Sequence, residues 1–133
     1  MSKLLLQLPI LVFLAITFTA CDDDSVTENA VIITVEEPLD GAMIEDCSDV
    51  HVHVEFDASV ENHGVDIVLH PEDDTSDKII DFSEHDHDMK IIFDEKVDLC
   101  AYPSGTCFHL EVEACENDPC DKKASTEVEF CLQ

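Results

Sequence analysis

The sequence predicts an all-β protein, with seven short strands folded into two antiparallel sheets packed face to face. Apolar residues recur at every second position through most of residues 31–132, the period of a strand with one buried face. Turn-forming residues punctuate that pattern about every 8–14 residues. No segment after residue 30 carries a 3.6-residue apolar period, so sheets burying their faces on each other are the expected architecture.

Val31, Ile33 and Val35 share one face of a first strand that ends near Pro38. A turn at Leu39-Asp40-Gly41 leads to a second, in which Val50, Val52, Val54 and Phe56 alternate with His51, His53, Glu55 and Asp57. Val65, Ile67 and Leu69 make a third, closed by Pro71 and an acidic loop, and Ile80 and Phe82 mark a short fourth. Met89, Ile91, Phe93, Val97 and Leu99 share one parity and make the fifth, where Glu95 breaks the alternation and marks a bulge. Phe108, Leu110, Val112 and Ala114 define the sixth, and Val128, Phe130 and Leu132 the seventh.

Ahead of this domain, Lys3 precedes an apolar run from Leu4 to Phe18, interrupted only by Gln7, Pro9 and Thr17, and small residues follow. These are the parts of a secretory signal peptide over residues 1–20, too short for a comfortable membrane span of about 20 apolar residues. Phe18-Thr19-Ala20-Cys21 resembles the lipobox of bacterial lipoproteins. That resemblance implies cleavage before Cys21 and acylation of its sulfur. Asp22-Asp23-Asp24-Ser25 follows at once and resembles the surface-export signal of lipoproteins in the Bacteroidota. The implied address is the outer membrane or cell surface of a Gram-negative bacterium. Residues 21–30 then form the lipidated, acidic, flexible linker and residues 31–133 the folded domain. Two or three acyl chains, at about 0.8 kcal/mol per buried methylene, make a firm anchor.

Charge excludes whole classes of partner. The 133 residues hold six Lys, no Arg and 32 Asp plus Glu, a net charge of −26, and every acid lies beyond Cys21. Affinity for phosphate comes from Lys and Arg, so nucleic acid and anionic lipid surfaces are not expected partners. Apolar residues still make up 45% of the chain, arranged with a period, so the acidic body is expected to fold rather than stay disordered. Repulsion on that surface opposes compaction, and cross-links offset it.

Seven cysteines occur, and assigning Cys21 to lipid leaves an even six in an exported chain, a disulfide framework by default. Cys115 and Cys120 flank a four-residue turn and pair across a hairpin. Cys100 and Cys107 flank Pro103-Ser104-Gly105 and are expected to pair across that turn, which leaves Cys47 for Cys131. A rival scheme, Cys47–Cys100 with Cys107–Cys131, links neighbouring strands and stays open. No C-x₂-C spacing is present for thiolate zinc.

The stretch Val97-Asp-Leu99, then Pro103-Ser-Gly105-Thr106-Cys107, then alternating Phe108 to Ala114, resembles the later half of many bacterial immunoglobulin-like domains. Those read Asp-Leu, Pro-x-Gly-Thr-Tyr and an alternating strand, and here Cys107 stands at the aromatic position. The resemblance implies an immunoglobulin-like or fibronectin-like sandwich, with Leu99 in the core, Gly105 turning the chain between sheets, and no catalytic residue.

Seven histidines in so acidic a chain raise transition-metal binding. In a sandwich, His63, His85 and His87 fall in loops at one end, near Glu116 to Asp118, and neutral imidazoles with carboxylates suit Zn²⁺ or Cu²⁺. His51 and His53 share the outward face of their strand beside Lys96 and Asp98, where surface cross-strand pairing accounts for them. His70 and His109 are expected as neighbours on the other sheet. The acidic loop Glu72 to Asp77 lacks the spacing of a calcium loop. No Gly-x-Ser-x-Gly elbow or phosphate-cradling glycine loop occurs, so no enzymatic activity is expected. The expected function is a lipid-anchored envelope binding module, whose strong negative charge suggests a cationic partner or simply solubility in a salty exterior. A Zn/Cu-capture lipoprotein and a purely structural envelope component are the alternatives.

Overall fold

The computed structural model describes residues 28–133, which leaves the expected signal peptide, Cys21 and its acidic run outside the described residues. The described residues are all-β, without a helix, and contain eight strands. These are β1 (Val31–Glu37), β2 (Ala42–Ile44), β3 (Val50–Ala58), β4 (Val65–Pro71), β5 (Ile80–Glu84), β6 (Lys90–Val97), β7 (Cys107–Cys115) and β8 (Lys123–Leu132). One sheet has the order β1-β3-β6 and the other β2-β8-β7-β4-β5. Every pairing is antiparallel except β2 with β8, which run parallel.

The inner faces are those the alternation predicts, except that Met89 falls before β6 and is exposed. Val50, Val52, Val54, Phe56, Ile91 and Phe93 from the smaller sheet meet Val65, Ile67, Leu69, Phe108, Leu110, Val112 and Phe130 from the larger, all buried in one cluster. Leu99 is fully buried although it lies outside any strand. It plugs the core where the chain crosses from β6 in one sheet to β7 in the other, and Gly105, at φ 85°, turns that crossing.

Three sequence expectations change. The extra strand is β2, whose three residues are too few to show alternation. It forms because the Leu39–Ala42 turn docks on β8, with the Gly41 amide donating to the Glu129 carbonyl at 2.7 Å. Glu95 makes no bulge, since β6 pairs with β3 without a register shift and Glu95 sits opposite Val52. It is exposed on an edge strand, beyond the last buried apolar residue, Phe93. The register shift lies instead in β1, between Val35 and Glu37.

The third correction concerns the cysteines. Cys115–Cys120 forms as expected, but the other bridges are Cys47–Cys100 and Cys107–Cys131, the rival scheme. Cys100–Cys107 and Cys47–Cys131 fail because residues 98–106 are a crossover between sheets, not a hairpin within one. Cys107 and Cys131 are direct cross-strand partners of β7 and β8. Cys47 and Cys100 prolong the β3–β6 ladder beyond Val50↔Val97, and the Leu99 amide donates to the Cys47 carbonyl at 2.8 Å. The bridges thus staple each sheet along its own strands.

Chain-entropy arithmetic ranks the bridges by loop length. Closing loops of 53, 24 and 5 residues stabilises by about 4, 3.5 and 2 kcal/mol respectively. Paired Cys→Ala variants measured by urea unfolding are expected to follow that order. The losses should shrink as salt screens surface repulsion within about 8 Å at 0.15 M. An unchanged unfolding midpoint after removal of Cys47 and Cys100 would reject this account.

Candidate metal centres

Strand alternation and loop position gather the seven histidines into three groups, in each of which every ring lies within 6 Å of another histidine ring. The loop group stands where the sequence places it. Asn62 is fully buried and ties the β3–β4 loop to the β5–β6 loop, its Nδ2 donating to the Asp88 carbonyl at 2.6 Å. That clamp sets the His63 and His87 rings 5.6 Å apart, nearly perpendicular. Glu61 reaches both, with Oε2 3.3 Å from His87 Nδ1 and Oε1 3.8 Å from His63 Nε2. Glu61, His63 and His87 can thus offer three ligand atoms within 4.8 Å of one another.

His85 is not part of that set. Its ring packs edge-on against His87, with centroids 4.8 Å apart, and it is exposed. Glu61 takes the ligand position that the sequence reading assigned to His85. Glu116 is also committed elsewhere, accepting the Val31 amide at 3.3 Å and pairing with Lys122 at 3.1 Å. Asn29 sits beside it, donating to the carbonyls of Glu61 at 2.6 Å and Glu116 at 2.9 Å. The chain is therefore already held to the domain at Asn29.

Comparison with known protein families, characterised proteins and solved structures finds no match. The side chains alone carry the functional argument.

The second group lies on the outer face of the smaller sheet. His51 and His53 are two residues apart on β3 and so point the same way. His51 faces Lys96 across the ladder, as the sequence implies. The acid beside them is Asp94, however, because Asp98 falls past the end of β6. Asp94 Oδ1 is 2.7 Å from His51 Nε2 and its Oδ2 is 3.0 Å from His53 Nδ1. Hydrogen bonding to Asp94 and then Glu37 holds His51 above its ordinary imidazole pKa, against some loss of hydration. The same contacts, His51 first, hold Asp94 below the usual carboxylate range. Position 94 has the outward parity of β6, so the signal was present in the sequence.

The third group is on the larger sheet, where His70 and His109 are cross-strand partners whose rings stack with centroids 5.9 Å apart. His70 is buried, its Nδ1 2.8 Å from the Pro71 carbonyl and its Nε2 3.3 Å from Glu111. His109 bonds to Glu127, and Glu129 lies 3.6 Å from its other nitrogen. The Glu127 hydrogen bond, with help from the charges of Glu129 and Glu72, raises the His109 pKa despite partial desolvation.

A histidine whose folded pKa exceeds its unfolded value of about 6.5 stabilises the fold fully below that pH. The stabilisation is lost as pH rises through the folded value, and carboxylates do not titrate in that window. Stability measured in urea is therefore expected to fall as pH is raised above about 6.5. His109→Gln should flatten part of that fall, and an unaltered pH slope in the variant would contradict the assignment.

Proposed function

We propose that the protein is an exported, lipid-anchored, immunoglobulin-like module that binds a cationic partner and has no catalytic activity. The immunoglobulin-like class is supported by strand order. Such domains place strands A, B and E in one sheet and C, F and G in the other, with an optional strand beside C. The strands β1, β3 and β6 against β4, β7 and β8, with β5 beside β4, follow that plan. The lipobox-like Phe18 to Cys21 and the following acidic run support export and anchoring at the outer membrane or cell surface. Three bridges fit an oxidising compartment and leave no free thiol among residues 28–133 to act as a nucleophile.

The observation that carries the binding reading is a groove of about 410 Å³ between the end of β1 and β2. Leu39 and Met43 are 66% and 57% exposed there, beside Ala42, Ile44 and Val50. Glu36, Glu37, Glu45, Asp46 and Asp49 rim it, and no lysine lines it. An apolar floor within an acidic rim is complementary to a segment that alternates Lys or Arg with apolar side chains.

A synthetic peptide of alternating Lys and Leu tests the groove. Binding is expected to weaken as salt rises. Leu39→Ser with Met43→Ser should weaken it about tenfold through lost apolar burial, whereas Met89→Ser, equally exposed at 58% but outside the groove, should not. Equal binding by all three proteins would refute this docking site. Intact mass of the membrane-extracted protein tests the address. A chain beginning at acylated Cys21, gaining about 6 Da on reduction of three bridges, is expected. A soluble form beginning elsewhere would remove the anchor from the reading.

A second reading, transition-metal capture, is favoured by one observation: Glu61, His63 and His87 bring their ligand atoms within 4.8 Å of one another at the loop end. Zinc and copper are the ions that this donor set suits.

A further inference from the structure

We infer that His51, His53 and Asp94 form a transition-metal site on the outer face of the β1-β3-β6 sheet, distinct from the loop group. Their three ligand atoms lie within 4.8 Å of one another. Bonds of about 2.0–2.1 Å to a tetrahedral zinc set donors about 3.3 Å apart. Asp94 already stands 2.7 Å from His51 Nε2 through Oδ1 and 3.0 Å from His53 Nδ1 through Oδ2, so the carboxylate sits between the two rings and side-chain adjustment alone brings the donors to that spacing. Two imidazoles and a carboxylate suit Zn²⁺ or Cu²⁺, and a fourth position faces solvent beside the exposed Asp94.

What separates this group from an ordinary surface pairing is its outer support. Histidine ligands of metals nearly always give their second ring nitrogen to a carboxylate, carbonyl or water, which fixes ring orientation and raises basicity. His51 would bind through Nε2, and its Nδ1 is 2.8 Å from Glu37 Oε2. His53 would bind through Nδ1, and its Nε2 is 3.6 Å from Glu36 and 3.8 Å from Glu55.

Glu36 faces outward by alternation with Ile32 and Thr34, whereas Glu37 is there because of the register shift between Val35 and Glu37. By alternation Glu37 belongs with Val31, Ile33 and Val35 on the inner face. The bulge turns it outward beside Glu36, so this irregularity supplies the carboxylate that holds His51. All three ligands stand on paired strands, not on loops, which holds them in place before an ion arrives. The loop group lacks that second layer, since His63 Nδ1 is buried without a partner.

Calorimetric titration of zinc chloride into the full chain in detergent, after chelator treatment, tests the inference. The expected result is a zinc equivalent that is lost in His51→Gln with His53→Gln and retained in His63→Gln with His87→Gln. Glu37→Gln, which keeps all three ligands, is expected to weaken that equivalent by about 10-fold or more. Circular dichroism and the mass gain on reduction check that each variant is folded. Zinc binding only in the millimolar range, or binding unaltered in the His51/His53 variant, would overturn the site. So would loss of all zinc from the His63/His87 variant, an outcome that leaves the loop reading standing.

Discussion

Residues 28–133 carry 29 side-chain carboxylates against five lysines, the three remaining acids being Asp22, Asp23 and Asp24. A sandwich so charged pulls against itself, and much of its construction answers that repulsion. Each of the five lysines stands within about 3 Å of a carboxylate, in the pairs Lys78–Asp81, Lys90–Glu55, Lys96–Asp49, Lys122–Glu28 and Lys123–Glu113. Exposed pairs of this kind contribute at most about 1 kcal/mol each. Apolar burial between the sheets and bridges along their strands therefore carry the fold. With the lysines used up, histidine is the remaining side chain that can meet the surplus. Six of the seven histidines lie within 4 Å of at least one carboxylate.

Much of this was legible in the sequence because strand alternation is a local signal. The parity of Val50 to Phe56 and of Phe108 to Ala114 was enough to place two central strands and their buried faces, and it foretold the pairings His51↔Lys96 and His70↔His109. Whatever depended on how the chain turned between strands was less legible. Cys100 and Cys107 flank a good turn sequence, yet that turn passes from one sheet to the other, so proximity in sequence misled and strand adjacency decided. The three-residue β2 has no period to read, and its strand state comes from pairing with β8.

The histidine groups divide the same way. His63 and His87 met at the predicted end of the sandwich, because the β3–β4 and β5–β6 connections both cross between the sheets at that end. Glu61 replaced His85 as the third donor through side-chain reach within a loop, which alternation does not describe. On β3 the outward histidines were evident, whereas Glu37 was hidden by its own parity. A bulge shifts every residue after it to the opposite face, and nothing in Val35-Glu36-Glu37 marks it before the strand is paired.

That bulge also joins two surfaces that strand order would keep apart. Glu36, Glu37 and His51 line the apolar groove and also belong to the His51, His53 and Asp94 group or its outer support. A positive charge held among the histidines would offset two of the five acids on the groove rim, Glu36 and Glu37. The proposed cation and the proposed basic segment would thus draw on the same two glutamates. Through-space attraction falls off slowly enough over these short distances that each would weaken the pull on the other. Such competition would need no moving part, because the irregularity in β1 turns Glu37 outward beside Glu36 and so places both surfaces around one pair of side chains.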